Sequence, residues 1–465
     1  MNKSASIHRP LWPVFLTLGL ALGACQTAQE TRLNDGLVQV TGDTPNAWQT
    51  ASDAAIPADW SSLFQDDILR GYLAAAEASN LDLQQAEARL RQSEASVRQS
   101  RALLGPSLSA DLSASGAASV SDLGNSSDSG SAGLTASWDP DLFGVNRATI
   151  RQAEAQLAVT RANTERLRRS ILAQTARAYF QIIEADQQLQ LAQENLTFIE
   201  ETKRVSEARF NAGDIARSDL ALAELEFENA LAGLRNQEFA TRAARRALSI
   251  LVGDFGDDDL DVATTLPAPS ELGTLAVPAA LLETRYDVLA SRAALDVELA
   301  NFDGVRKDNW PALRLSGRVG SSGAELSDLF DPDFYVASLT ASISAVLFDS
   351  GRNAARVDLA EARIDAALAA YAQAVRGAVF DVNNAFDSAA TLTEALAALE
   401  RARASAEEAL ALEQIKFDLG ETILLDVLTV QRRVNAIRGS RINTERRLLD
   451  AQVEAYLALG STTAN

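Results

Sequence analysis

Cysteine, histidine and methionine each occur only once in the 465 residues. A lone cysteine, Cys25, cannot close an intramolecular disulfide. His8 and Met1 stand ahead of it, so the remainder of the chain has no imidazole or thioether for a soft-metal site or for proton transfer. A Gly-rich phosphate loop is missing as well. No catalytic, cofactor or metal constellation can be assembled, and an enzyme is not expected. Basic residues are in deficit, 42 against 63 acidic, and the formal charge of −21 disfavours nucleic acid as a partner. The 11 prolines leave two long gaps, from Val145 to Gly213 and from Arg352 to Gly420, in which nothing breaks a helix.

The first 24 residues have the form of an export signal. Lys3 and Arg9 make a positive start, and Leu11 to Leu22 an apolar run too short to span a membrane as a mature helix. Leu22-Gly23-Ala24-Cys25 resembles the bacterial lipoprotein signal, with Cys25 as the lipidated N-terminus of the mature chain; the alternative is an ordinary secretory signal with an incidental cysteine. Gln26, rather than Asp, favours sorting to the outer membrane. Loss of Lys3 and Arg9 would take the formal charge from −21 to −23.

From residue 25 to 79 the chain reads as an extended arm ending in a short amphipathic helix with Ile68, Leu69, Tyr72, Leu73 and Ala76 on one face. A helix from Asn80 to Leu104 is stopped by Gly105-Pro106. The period then falls to two: Leu108, Ala110, Leu112 and Ala114 alternate with Ser and Asp, and Leu134, Ala136 and Trp138 with Thr and Ser. The Gly/Ser/Asp-rich stretch from Gly116 to Ser131 between them reads as an exposed hairpin loop. Leu313, Leu315 and Val319, then Ala337 through Leu347, repeat the alternation. Such strands are long enough for a tilted membrane barrel, although a soluble hairpin face would look similar.

The pattern is duplicated. Asp82 and Asp287, Pro106 and Pro311, Phe143 and Phe348, and Arg147 and Arg352 share one offset. The two turns Phe210-Asn211-Ala212-Gly213 and Phe417-Asp418-Leu419-Gly420, each followed by Asp six residues past the glycine, share a slightly longer one. The predicted divisions are signal peptide 1–24, arm and equatorial segment 25–79, first repeat 80–252, equatorial linker 253–284, second repeat 285–460 and tail 461–465. Each repeat reads as helix, strand, loop, strand, very long helix, tip and returning helix. In each, the two shorter helices laid end to end match the long one, at roughly 100 Å. Four strands cannot close a barrel in lipid, so the barrel must be shared between subunits. Trp138, Phe143, Trp310 and Phe348 flank the strands and fit either interfacial anchors or a packed junction with the helices.

The lipoprotein start, the duplicated strand-and-helix unit, Arg285-Tyr286-Asp287-Val288, the Leu-Phe turns at 142–143 and 347–348, and the Phe-x-x-Gly-x5-Asp tips together resemble the TolC family, in its lipoprotein branch. The resemblance implies a mainly helical protein with membrane β-structure. As a homotrimer it would form a 12-stranded β-barrel in the outer membrane, continuous with a 12-helix periplasmic α-barrel. It further implies a passive exit duct of a tripartite pump, with Phe210, Gly213, Phe417 and Gly420 at tips that dock a periplasmic adaptor, and an inner-membrane transporter of the RND type behind it. Asp426 is then expected in a gating carboxylate ring. Ser218 and Asp219 match the acceptor side of the family's latch between hairpins. Phe417 and Thr422 stand where that latch has Tyr and Arg, so closure by apolar packing of Ile423, Leu424 and Leu425 is expected instead. The exit duct of a type I protein-secretion system, or a non-conducting coiled-coil scaffold anchored in the outer membrane, remain the alternative readings.

Overall fold

The computed structural model describes residues 60, 64–119, 122–255, 259–269, 284–323, 328–329 and 331–460, and of 117–119 and 122–128 the backbone alone. Cys25, the signal segment, the arm up to residue 59 and the tail 461–465 lie outside the described residues. The order is α1 (Asp67–Ser79), α2 (Leu81–Ala102), β1 (Ser107–Ser119), β2 (Asp122–Trp138), α3 (Val145–Ala212), α4 (Arg217–Leu251), α5 (Tyr286–Lys307), β3 (Ala312–Gly323), β4 (Tyr335–Ser344), α6 (Arg352–Asp418) and α7 (Leu424–Ala458).

The two halves repeat each other closely. α3 and α6 have 68 and 67 residues, about 100 Å each at the rise of an α-helix. α2 and α4 contribute 22 and 35 residues, and α5 and α7 the same two numbers. Each long helix follows its strand through a tight turn with a left-handed glycine, Gly144 (φ 82°) and Gly351 (φ 86°). A carboxylate caps the first turn: Asp141 accepts from the amides of Asn146 (2.9 Å) and Arg147 (3.0 Å), and Asp349 from that of Asn353 (2.8 Å). α2 starts one residue later than expected because Asn80 is its cap, its side chain accepting from Asp82 N at 3.0 Å and Leu83 N at 3.2 Å.

The strands form one antiparallel sheet in the order β1-β2-β3-β4. Gly116 to Ser131, expected as a loop, is instead strand nearly throughout. Its Gly, Ala and Ser side chains give no hydrophobic contrast for a period to register. The backbone ladder and paired hydroxyls, Ser113 with Ser131 at 2.8 Å and Ser115 with Ser129 at 2.9 Å, hold it all the same. β4, conversely, ends at Ser344, short of the alternation that ran on to Leu347.

The largest core lies midway along the helices. α1, the middle of α3, the ends of α4 and α7, and Leu266 bury Trp60, Phe64, Tyr179, Phe180, Ile182 and Ile183 together. Trp60 meets Phe64 edge-on at 6.1 Å, and Phe64 meets Phe180 at 5.2 Å. The Tyr179 hydroxyl donates to Asp66 (2.7 Å) and accepts from the amide of Ala263 (3.1 Å), which ties the linker into this belt. Burial pushes that hydroxyl's pKa up, and its bond to Asp66 adds to the rise. On the other half, Arg285 is 11% exposed and pairs with Asp287 (2.6 Å) and Asp381 (2.9 Å) while reaching the Ala458 carbonyl (3.2 Å). Burial pushes the Asp287 carboxyl up, but the hydrogen bonds and charge of Arg285 together outweigh it, and the net shift is downward.

Candidate functional site

Two ends of the molecule carry arrangements that a packed core does not need. At the far end of the helices, both hairpins reverse by the same device. Gly213 (φ 83°) and Gly420 (φ 78°) take the left-handed conformation. Asp214 N bonds Arg209 O (2.9 Å) with Gly213 N on Phe210 O (3.0 Å), and Glu421 N bonds Lys416 O (2.8 Å) with Gly420 N on Phe417 O (3.1 Å). Nothing lies within 4 Å of where a Cβ would stand at either glycine, so both tips face open space.

The two tips differ in chemistry. The first exposes Asn211, Asp214, Arg217 and Ser218. The second exposes Leu412, Ile415, Leu419, Ile423 and Leu425. Beneath them runs a thin apolar seam of Ile199, Ala223, Leu424 and Leu428, with Phe417 packed at its edge.

The predicted gate residues fall on both sides of this seam. Asp426 is exposed in the first turn of α7 and accepts from the Thr422 hydroxyl at 2.8 Å. That bond holds Thr422 within its own hairpin. Asp219 closes the N-terminus of α4 by accepting from Ala216 N at 3.2 Å, and among the described residues no hydrogen bond joins Ser218 or Asp219 to the second tip. Phe417 does reach across, but to a residue that the sequence reading passed over: the Arg209 guanidinium lies 4.6 Å from its ring centre. Deeper in the seam, Arg432 of α7 donates to Glu226 of α4 at 3.0 Å. Phe210 keeps to its own hairpin, with Arg217 5.9 Å from its ring.

At the opposite end, the sheet has two unlike faces. The register sets Leu108, Ala110 and Leu112 of β1 beside Ala136, Leu134 and Ala132 of β2. On the same side stand Leu313, Leu315 and Val319 of β3 and Ile343, Ala341 and Ala337 of β4. This face is bare: Leu112 is 78% exposed and Leu339 86%. The other face carries Ser107, Ser109, Asp111, Thr135, Ser137, Arg314, Ser316, Arg318, Thr340 and Ser342. No described helix is long and apolar enough to cross a membrane.

The four aromatic residues predicted to flank the strands stand at the strand–helix junction. The Trp138 indole donates to the Leu104 carbonyl at the end of α2 (3.0 Å), and Phe143 stacks on Trp310 at 5.4 Å, joining the two repeats. Phe348 is 86% exposed.

The chain matches the model of the family described as outer membrane efflux protein over residues 72–254 and 277–461, one span in each repeat. It is 29% identical over 469 residues to outer membrane protein OprJ of Pseudomonas aeruginosa, covering 96% of this chain and 94% of that one. With the pyoverdine export outer membrane protein OpmQ of the same species, identity is 30% over 462 residues, covering 95% and 94%. The open state of the Neisseria gonorrhoeae MtrE outer membrane channel superposes with a TM-score of 0.80 at 29% identity, over 90% of this chain and 96% of that one. A membrane protein from Pseudomonas aeruginosa does so with 0.81 at 26%, over 90% and 97%.

Proposed function

The chain belongs to the outer membrane efflux protein family, and from that membership we propose that it is the outer-membrane exit duct of a tripartite pump, conducting small toxic molecules passively from periplasm to exterior. The observation that carries this reading is the four-stranded sheet: apolar on one face, polar on the other, with β1 and β4 unpaired at its edges, standing at the end of helices about 100 Å long. An apolar face of this kind belongs against lipid, and open edges are too costly there, so copies of the sheet must join edge to edge. Three copies supply twelve strands and, with the short helices stacked in pairs, twelve helical columns. Water then runs along the polar face and down the columns. The protein is a conduit and not an enzyme.

The periplasmic end is the gate. Asp426, exposed on the first turn of α7, forms a carboxylate ring whose self-repulsion rises as the aperture narrows. Arg209 on Phe417 clasps the two hairpins of a protomer where the family's other latch residues are replaced. Phe210, Gly213, Phe417 and Gly420 form the tips on which a periplasmic adaptor docks, and the adaptor leads to an inner-membrane transporter of the RND type. Trp138, Phe143, Trp310 and Phe348 mark the membrane boundary, and Cys25 carries the lipid anchor.

The test is retention of a fluorescent dye in cells with and without this chain. Deletion is expected to raise dye retention several-fold and re-expression to restore it, with electron microscopy of the solubilised protein showing a threefold hollow rod. Unchanged retention together with a solid or compact particle would overturn the reading.

A further inference from the structure

The polar face of the sheet carries three charges among the described residues, and they are unequal in their partners. Asp111 on β1 and Arg318 on β3 are separated by β2, yet the Arg318 guanidinium reaches Asp111 at 2.8 Å and 3.2 Å. It passes over Gly133, where a Cβ would stand 3.0 Å from its terminal nitrogen. The glycine leaves the channel through which the pair forms, and the pair is neutral as a unit. Arg314, four residues earlier on β3, is exposed and has no carboxylate within salt-bridge distance among the described residues. Its cross-strand neighbour is Ser342, whose hydroxyl bonds the Arg314 carbonyl at 3.4 Å and leaves the guanidinium unengaged.

We propose that Arg314 sets the charge selectivity of the strand end of the duct, favouring small anions there. The proposal rests on the exit-duct reading, which turns the polar face to the water path. Arg314 lies next to the ends of the strands where the helices begin, about 13 Å along β3 from Arg318. Each copy of the chain adds one such cation at the same level. Between low-dielectric walls, like charges at one level focus their field into the water path, whereas a neutral pair contributes only a short-range dipole. The helical tips lie about 100 Å away, many Debye lengths at 0.1 M salt, so Asp426 cannot cancel this field. The helical tips and the base of the strands therefore select for opposite signs.

The test is the reversal potential of the full chain in planar lipid bilayers under a potassium chloride gradient. Arg314→Gln is expected to lower the chloride-to-potassium permeability ratio by about twofold or more, and Arg314→Glu to lower it further. Arg318→Gln, which uncovers Asp111, moves the ratio the same way, and Asp111→Asn, which frees Arg318, moves it up. Folding is kept out of the result by Arg314→Cys labelled after insertion with anionic or cationic thiol reagents, the parent protein treated alike as control for Cys25. A ratio unmoved by Arg314→Gln and by either label, in channels that Asp426→Asn does shift, overturns the assignment. A parent protein that carries no current overturns the duct reading itself.

Discussion

The belt midway along the helices and the tips at their far end share α3, α4 and α7, yet they are packed on different terms. At the belt, aromatic side chains from α1, α3 and the residues just before α1 meet in one core, and Tyr179 joins three segments through its hydroxyl. At the tips, only Ile199, Ala223, Leu424 and Leu428 are buried together among the described residues, and beside them the hairpins are crossed by a cation on a ring and the Arg432–Glu226 ion pair. Deep burial fixes the belt. Shallow packing with polar crossings leaves the tips free to part at small cost, which a conduit needs at its entrance and nowhere else.

The sharpest way to break that comparison is Phe180→Ala, which empties the centre of the belt and should lower stability by about 3–5 kcal/mol. Thermal unfolding of the solubilised protein would show it as a fall in Tm. The same truncation logic at the tip, Leu428→Ala, should cost about 2 kcal/mol, because a thin seam can close over the gap. Equal losses at the two sites would erase the distinction. Smaller still is Arg209→Ala or Phe417→Leu, each removing about 0.5–1 kcal/mol of cation–π attraction. Bilayer recordings should then show the entrance open more often, with the double variant no more open than either single one.

The least effect is expected from protons. Arg285 holds the Asp287 carboxyl below its ordinary range, so the stability it lends is present above about pH 4 and is lost as the pH falls through the lowered folded value. Melting Asp287→Asn beside the parent at pH 7 and pH 3 should show the parent losing more on acidification. A parallel loss in both would place the acid sensitivity of the belt elsewhere.

Much of this architecture was legible in residue order. Two Pro-free runs gave the long helices, and period-two alternation gave four strands with one apolar side. Phe-x-x-Gly marked both tips because only a left-handed residue at the glycine lets the last carbonyls of α3 and α6 find donors. The outer part of the first hairpin was not legible, since Ser, Gly and Ala carry no contrast between faces. Nor was the contact made by Phe417. Apolar packing was expected there in place of the family's latch, and the structure brought the Arg209 guanidinium to the ring.

The residues that meet between the repeats share a feature that no local reading exposes. Asp111 and Arg318 are 207 residues apart, and Glu226 and Arg432 are 206. These separations are close to the spacing of the duplication itself, because like parts of the two repeats lie side by side. By itself the sequence determined the long helices and the inner parts of the strands, through periods that depend only on near neighbours, and it determined the duplication; how far the strands of the first hairpin and β4 run was set by their pairing. Which charge met which partner, and so which of the cations on the polar face stayed unpaired, was decided only when the strands took their register and the hairpins packed, since electrostatic pairing depends on distances that only the folded chain sets.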